Sequence, residues 1–346
     1  MLQEMIDSDQ QLDGIVRAMF ALDSDTARQV AGNFNLRQRL CQKAEADSDA
    51  AYKGDQDKLK SIHHALTLIY EREFSMPSPE QTSFNLSGPI CDIASIIETF
   101  LLDYEEQFID PAIFDDMPGN GERYITWLRK LIHDHKASNH PFYEEFIHYK
   151  ANRADLKYYL VQETTLDPRF DDSLAFMQLG TRGQVKMEMA NNYWDEMGNG
   201  DFRNVHTALF AQALDDLGVT PEYIQENLAL GAEISGNLSA CMVLYRRHFY
   251  KAIGYFGVTE YLVPRRFKHI VFAWQRNELP PAGIIYHDLH IGVDAGHANG
   301  WFYNVIVPIL KEHKAAGKEI ARGALIRLNS SERYLDQIYQ HLATLS

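Results

Sequence analysis

Apolar residues return at every third and fourth position along most of this chain, and that period commits a backbone to helix. The pattern runs through residues 11–21, 57–74, 90–107, 121–135 and 142–163, and again through 205–217. Gly218 stands where a C-cap is expected, and Pro221 opens the next run at a position where its missing N–H costs nothing. No two-residue alternation bounded by hairpin signals is sustained, so no sheet is expected and the fold class reads as an all-α helical bundle. Two stretches interrupt the pattern. Residues 75–89 hold three prolines with Ser, Asn and Gly, and residues 115–121 hold Pro118, Gly119 and Gly121, so both read as loops. At 346 residues the chain allows one large domain or two ordinary ones. The reading adopted is an N-terminal helical extension over residues 1–135 and a core over 136–346.

Charge narrows the function. Lys and Arg number 33 against 48 Asp and Glu, a net of −15 with no basic block to offset it. Such a chain is repelled by a phosphate backbone and by anionic lipid, so nucleic-acid and membrane partners are not expected. The longest apolar stretches fall well short of the about 20 residues of a bilayer span. Glu4, Asp7 and Asp9 stand where a signal peptide would be basic and then apolar. Cys41, Cys91 and Cys241 are widely spaced and form no CxxC pair, as thiols of a reduced compartment do. A cytoplasmic location is the expectation.

The sharpest chemical signal is His290-Ile-Gly-Val-Asp294-Ala-Gly-His297. On a helix, positions i, i+4 and i+7 lie within about 60° of arc, so two imidazoles and a carboxylate leave from one face. Neutral His with Asp suits iron, manganese or zinc. Any one of these histidines alone would read as a capped or surface residue; three ligand types on one stripe favour a metal. A second signal is the segment from Asn191 to His206, in which Gly198 and Gly200 break a helical pattern just after Glu196. Each Gly costs up to about 1 kcal/mol in a helix, so either a turn between helices or an unwound ligand-bearing segment is implied. Glu163 and Glu260 each sit in apolar surroundings, Tyr158-Tyr-Leu-Val-Gln before the first and Phe256-Gly-Val-Thr before the second. A carboxylate buried there must be paired, protonated or bound to a cation.

Taken in order, Gln162-Glu163, Glu196-Met-Gly-x-Gly, His206-x-x-Leu-Phe, Glu260 and His290-x-x-x-Asp294-x-x-His297 resemble the heme-oxygenase-like diiron oxidases and oxygenases, iron-containing redox enzymes. The resemblance covers residues from about 140 to just past 301 and leaves the N-terminal third outside. It implies a seven-helix fold like that of heme oxygenase, without heme, holding two Fe(II)/Fe(III) ions that use O2 as co-substrate. By matching position, it implies Glu163, His206, Glu260, His290, Asp294 and His297 as iron ligands, with Glu188 as a rival to Glu163. Glu196 matches an additional, catalytic metal-binding carboxylate of the N-oxygenating members. The activity implied is oxidation of an amino acid or amino-acid-derived amine. Oxidative C–C cleavage or desaturation of an amino or fatty acid on the same site is the alternative. A metal-free thiaminase-like hydrolase or binding protein is a further one, which needs a nucleophilic Cys.

Substrate selection is thinly written. Arg203, Arg246, Arg247, Arg265 and Arg266 are candidates for holding a carboxylate, since guanidinium matches that group bidentately. Tyr193, Trp194, Phe210, Tyr255 and Trp301 are candidates to line a pocket, though aromatic residues at such spacing usually form core. The partner expected is a small molecule, free or tethered to a carrier protein, and a homodimer is a further expectation.

Overall fold

A computed structural model describes residues 1–82, 86–119 and 121–345; of residues 80, 82, 293–295 and 345 only the helical backbone is described. The described residues form helices and turns, with no strand. None of these helices is long and apolar enough to cross a membrane.

Contacts divide the chain into two compact units, Met1–Gln107 and Phe108–Ser346. In the first, the main helices are α1 (Leu12–Phe20), α2 (Phe34–Tyr52), α3 (Gln56–Glu71) and α4 (Ser87–Glu106). The apolar positions that announce each helix are the ones it buries: Ile62, Ala65, Leu66 and Ile69 on α3, and Ile90, Ile93, Ala94, Ile97 and Leu101 on α4. Asp55 starts α3 by accepting the backbone N–H groups of Asp57 and Lys58. The stretch expected as a loop over 75–89 contains one short helix, Pro79–Thr82, and the first turn of α4.

The second unit contains α5 (Gly121–Asp134), α6 (Arg153–Glu163), α7 (Gly183–Glu196), α8 (His206–Leu217), α9 (Leu230–Leu244), α10 (Phe249–Arg276), α11 (Ile285–Gly300) and α12 (Ala316–Leu345). Helix α5, assigned from sequence to the extension, packs here: Tyr124 donates to the Gly317 carbonyl at 2.7 Å and Arg129 reaches Asn299 at 2.6 Å. The helical run expected over 142–163 is two pieces. A π-helical turn, Phe142–Ile147, precedes α6, which Asn152 and Asp155 start afresh with a reciprocal capping box. Gly218 ends α8 in the left-handed conformation, φ 70°.

Helix α10 is the axis of this unit, packed along α11 and α12. It crosses α12 at backbone distance, because a Cβ on Gly254 would lie 1.8 Å from the Ile320 carbonyl oxygen and one on Gly323 equally close to that of Lys251. Pro264 stands inside α10, one turn past Glu260, where it brings no N–H to the helical ladder.

Candidate metal centre

Glu196 is the last residue of α7 and His206 the first of α8. Between them Gly198, Asn199 and Gly200 all take positive φ, 61°, 52° and 86°. A Cβ on Gly198 would sit 2.5 Å from the backbone of Asn204, so only glycine lets the chain fold back this tightly. The segment is thus a turn between helices, and the turn sets His206 Nδ1 2.7 Å from Glu196 Oε2. From α11, His290 Nε2 approaches Glu196 Oε1 at 3.9 Å, and the His206 and His290 rings lie 4.4 Å apart. Glu196, His206 and His290 are all buried, with ligand atoms within 4.8 Å of one another.

The imidazoles are oriented from behind. His290 donates Nδ1–H to the Tyr286 carbonyl at 2.6 Å, which leaves the Nε2 lone pair facing Glu196. The short His206–Glu196 approach lacks hydrogen-bond geometry, so these two groups converge without satisfying each other. Two turns further along α11, His297 donates Nε2–H to Asp195 at 2.9 Å and turns Nδ1 towards Glu260 Oε2, 3.7 Å away. Glu260 also accepts from Asn192 at 2.7 Å. Imidazoles backed by a carbonyl or a carboxylate, with carboxylates in front, form the donor set of a metal site.

A cavity of about 40 Å³ opens beside this cluster, with Glu163, Asp167, Glu260 and His290 in its wall. Glu163, at the end of α6, accepts from Tyr334 at 2.8 Å; burial raises its pKa against the pull of Tyr334, Arg327 and Arg266. Asp167 lies four residues on, in a short 3-10 turn. Its Oδ2 is shut off from solvent without a hydrogen-bond partner among the described residues. Burial first, then the neighbouring charges of Glu163 and Glu196, push its pKa well above the carboxylate range. Burial likewise lowers His290 to about 4, with the other imidazoles adding to the fall against the attraction of Glu196. The site keeps its histidine neutral, the form that ligates.

Of the seven site residues named from sequence, Glu196, His206 and His290 meet, His297 and Glu260 pair beside them, and Glu163 faces the shared cavity. Asp294 lies in the middle of α11; its side chain lies outside the described residues. Glu188, the rival to Glu163, is placed elsewhere, against Gly300 and accepting from Asn304 at 2.8 Å. Asp167 went unread, although a carboxylate four residues after Glu163 and just before a proline was a signal for it. Arg327 went unread too. Among the arginines, Arg203 is exposed and paired with Asp201, Arg265 is paired with Glu144, and Arg246 stacks on Phe249. Arg266 alone of the five named lines the cavity. Phe210, Tyr255 and Trp301 are fully buried core, while Trp194 is exposed.

The family model described as iron-containing redox enzyme matches residues 157–332. No curated protein sequence matches the chain. Among solved structures, a domain of unknown function with a heme oxygenase-like fold from Shewanella denitrificans OS217 is similar at 15% identity. The alignment covers 69% of this chain and 95% of that one, with a TM-score of 0.45.

Proposed function

This chain belongs to the iron-containing redox enzymes, and on that premise we propose that it is a non-heme diiron, O2-dependent enzyme that N-oxygenates an amino acid or amino-acid-derived amine. The observation that carries the reading is the convergence of Glu196, His206 and His290 at ligand distance, with His297, two turns along from His290, paired with Glu260. The donors suit iron: buried, mixed nitrogen and oxygen, with His206 and Glu196 meeting without a hydrogen bond and Asp167 Oδ2 unpartnered among the described residues. Glu196, His206 and His290 would hold one ion. Glu260 and His297, with Asp294 from the sequence pattern, would hold the second. Bound iron would activate O2, and O2 would supply the oxidising equivalents.

The chain's own residues do the rest. Tyr286 and Asp195 fix the tautomers of His290 and His297. Leu166, Phe170, Val263 and Phe267 close the cavity with apolar side chains, limiting water at the reacting groups. Glu196, carrying the extra carboxylate, is the residue that directs the site to nitrogen. The metal-free hydrolase alternative is disfavoured by family membership and by the burial of Cys241 within α9.

The test is anaerobic Fe(II) titration with iron counted per chain, followed by ¹⁸O2 and a screen of amines. Two irons per chain, lost in His290→Ala, and ¹⁸O on nitrogen are expected. Saturation below two irons, or unchanged iron in His290→Ala, would overturn the diiron reading; ¹⁸O on carbon alone would overturn N-oxygenation.

A further inference from the structure

Two cations line the cavity that the ligand set leaves unused. Arg266, on α10, and Arg327, on α12, are 9% and 7% exposed, and both face the space walled by Glu163, Asp167, Glu260 and His290. A guanidinium carries five N–H donors, and burying one without acceptors is costly. Arg266 gives Nη2 to the Ala137 carbonyl at 3.0 Å and to Ser331 at 2.9 Å, while its buried Nε has no hydrogen-bond partner among the described residues. Arg327 gives Nε to Thr259 at 3.1 Å.

Without metal, Glu163 and Asp167 face the two guanidiniums across the same small space, yet Asp167 Oδ2 and Arg266 Nε both stay without a hydrogen-bond partner among the described residues. These carboxylates therefore do not take up the donors of the arginines. Once Glu260 serves a cation, the two guanidiniums are the groups of this wall left to hold an anion. Guanidinium matches a carboxylate best, and the remaining wall, Leu166, Phe170, Val263 and Phe267, is apolar.

We propose that Arg266 and Arg327 clamp the carboxylate of a small carboxylic-acid substrate, its carbon chain lying along those four apolar residues and its reacting end towards Glu260 and His290. This rests on the iron-binding reading above, and it adds to that reading the acid group by which the enzyme selects.

The probes are butanoate, hexanoate and their 2-amino counterparts, each compared with its own primary amide by calorimetry on anaerobic Fe(II)-loaded protein. At least one acid should bind 10-fold or more tightly than its amide. Arg327→Gln or Arg266→Gln should weaken that acid at least 10-fold at unchanged iron content, with the Lys variants falling between. Iron-free protein should bind the acid at least 10-fold more weakly, because Glu260 then adds an uncompensated negative charge to the same wall. Equal binding of acids and amides, no binding of any acid, or a folded Gln variant that binds as the parent does would overturn the clamp. If the Gln variants do not fold, the acid–amide comparison on the parent protein decides. Iron uptake without acid preference sinks the clamp alone; absence of iron uptake sinks both readings.

Discussion

In the N-terminal unit buried Lys43 and Asp47 meet as opposite charges. Lys43, 7% exposed, lies 2.6 Å from Asp9 and 2.8 Å from Asp47, and Lys58 reaches Asp47 at 2.9 Å; Glu98 on α4 accepts from Tyr70 at 2.7 Å. In the second unit Glu163, Asp167, Glu196 and Glu260 gather with imidazoles, and one carboxylate is forced towards its protonated form. The first pattern is what stability alone selects, since Lys43 and Asp47 find their counterions within their own fold. The second costs stability in the metal-free protein, as expected of the proposed site that a cation would complete. Breaking one pair in each unit should therefore have opposite consequences.

The largest effect is expected where the pairing is complete. Lys43→Met leaves Asp47 to Lys58 alone and should cost about 2–3 kcal/mol in urea unfolding; a loss below about 0.5 kcal/mol would show these ions to be solvated. Next comes the residue behind the ligand. Asp195→Asn removes the carboxylate that orients His297 and should weaken iron binding about 10–100-fold, read from competition with a chelator. An unchanged iron affinity would place His297 outside the metal site. Smaller, and of opposite sign to Lys43→Met, is Asp167→Asn. Removing a crowded, desolvated charge should stabilise the metal-free protein by about 1 kcal/mol while lowering its iron affinity. A destabilised Asp167→Asn protein would mean that the site is balanced without metal.

How much of this was legible varies with the physics. Helices such as α3, α4 and α8 were visible because their buried faces repeat at the helical period. The division of the 142–163 run was not, because it turns on Asn152 and Asp155 exchanging hydrogen bonds and on no change in apolar period. His290 and His297 were readable as a stripe on one helix, and Glu196 and His206 through the Gly-x-Gly between them. Asp167 and Arg327 were hidden for a different reason. Each acts through neighbours brought from distant parts of the chain, Glu196 and Tyr286 for the first, Thr259 and Glu163 for the second. The proline after Asp167 marks the residue but not the charges that meet it, and nothing local marks Arg327.

The smallest effect tests the comparison through pH. His63 in the N-terminal unit is fully buried beside Tyr52, whose hydroxyl lies 3.1 Å from its Nε2, and burial holds its pKa down at about 3. The unfolded chain takes up a proton near pH 6.5 where the folded one does not, so stability is present above that pH and is lost as pH falls below it. From pH 7.5 to 5.5 this one residue should remove about 1 kcal/mol, and His63→Gln should flatten the decline by that share. The buried histidines of the second unit slope the same way in the metal-free protein, His287 from about 3 and His290 from about 4. Iron should separate the two units, because a ligated imidazole resists protonation further while His63 is untouched. Fe(II) should therefore raise stability most at low pH in the parent and leave the His63 share as it was. If iron and His63→Gln instead cancel the same part of the slope, the buried histidines of the two units do not titrate independently, and the contrast between a paired unit and a metal-completed one fails.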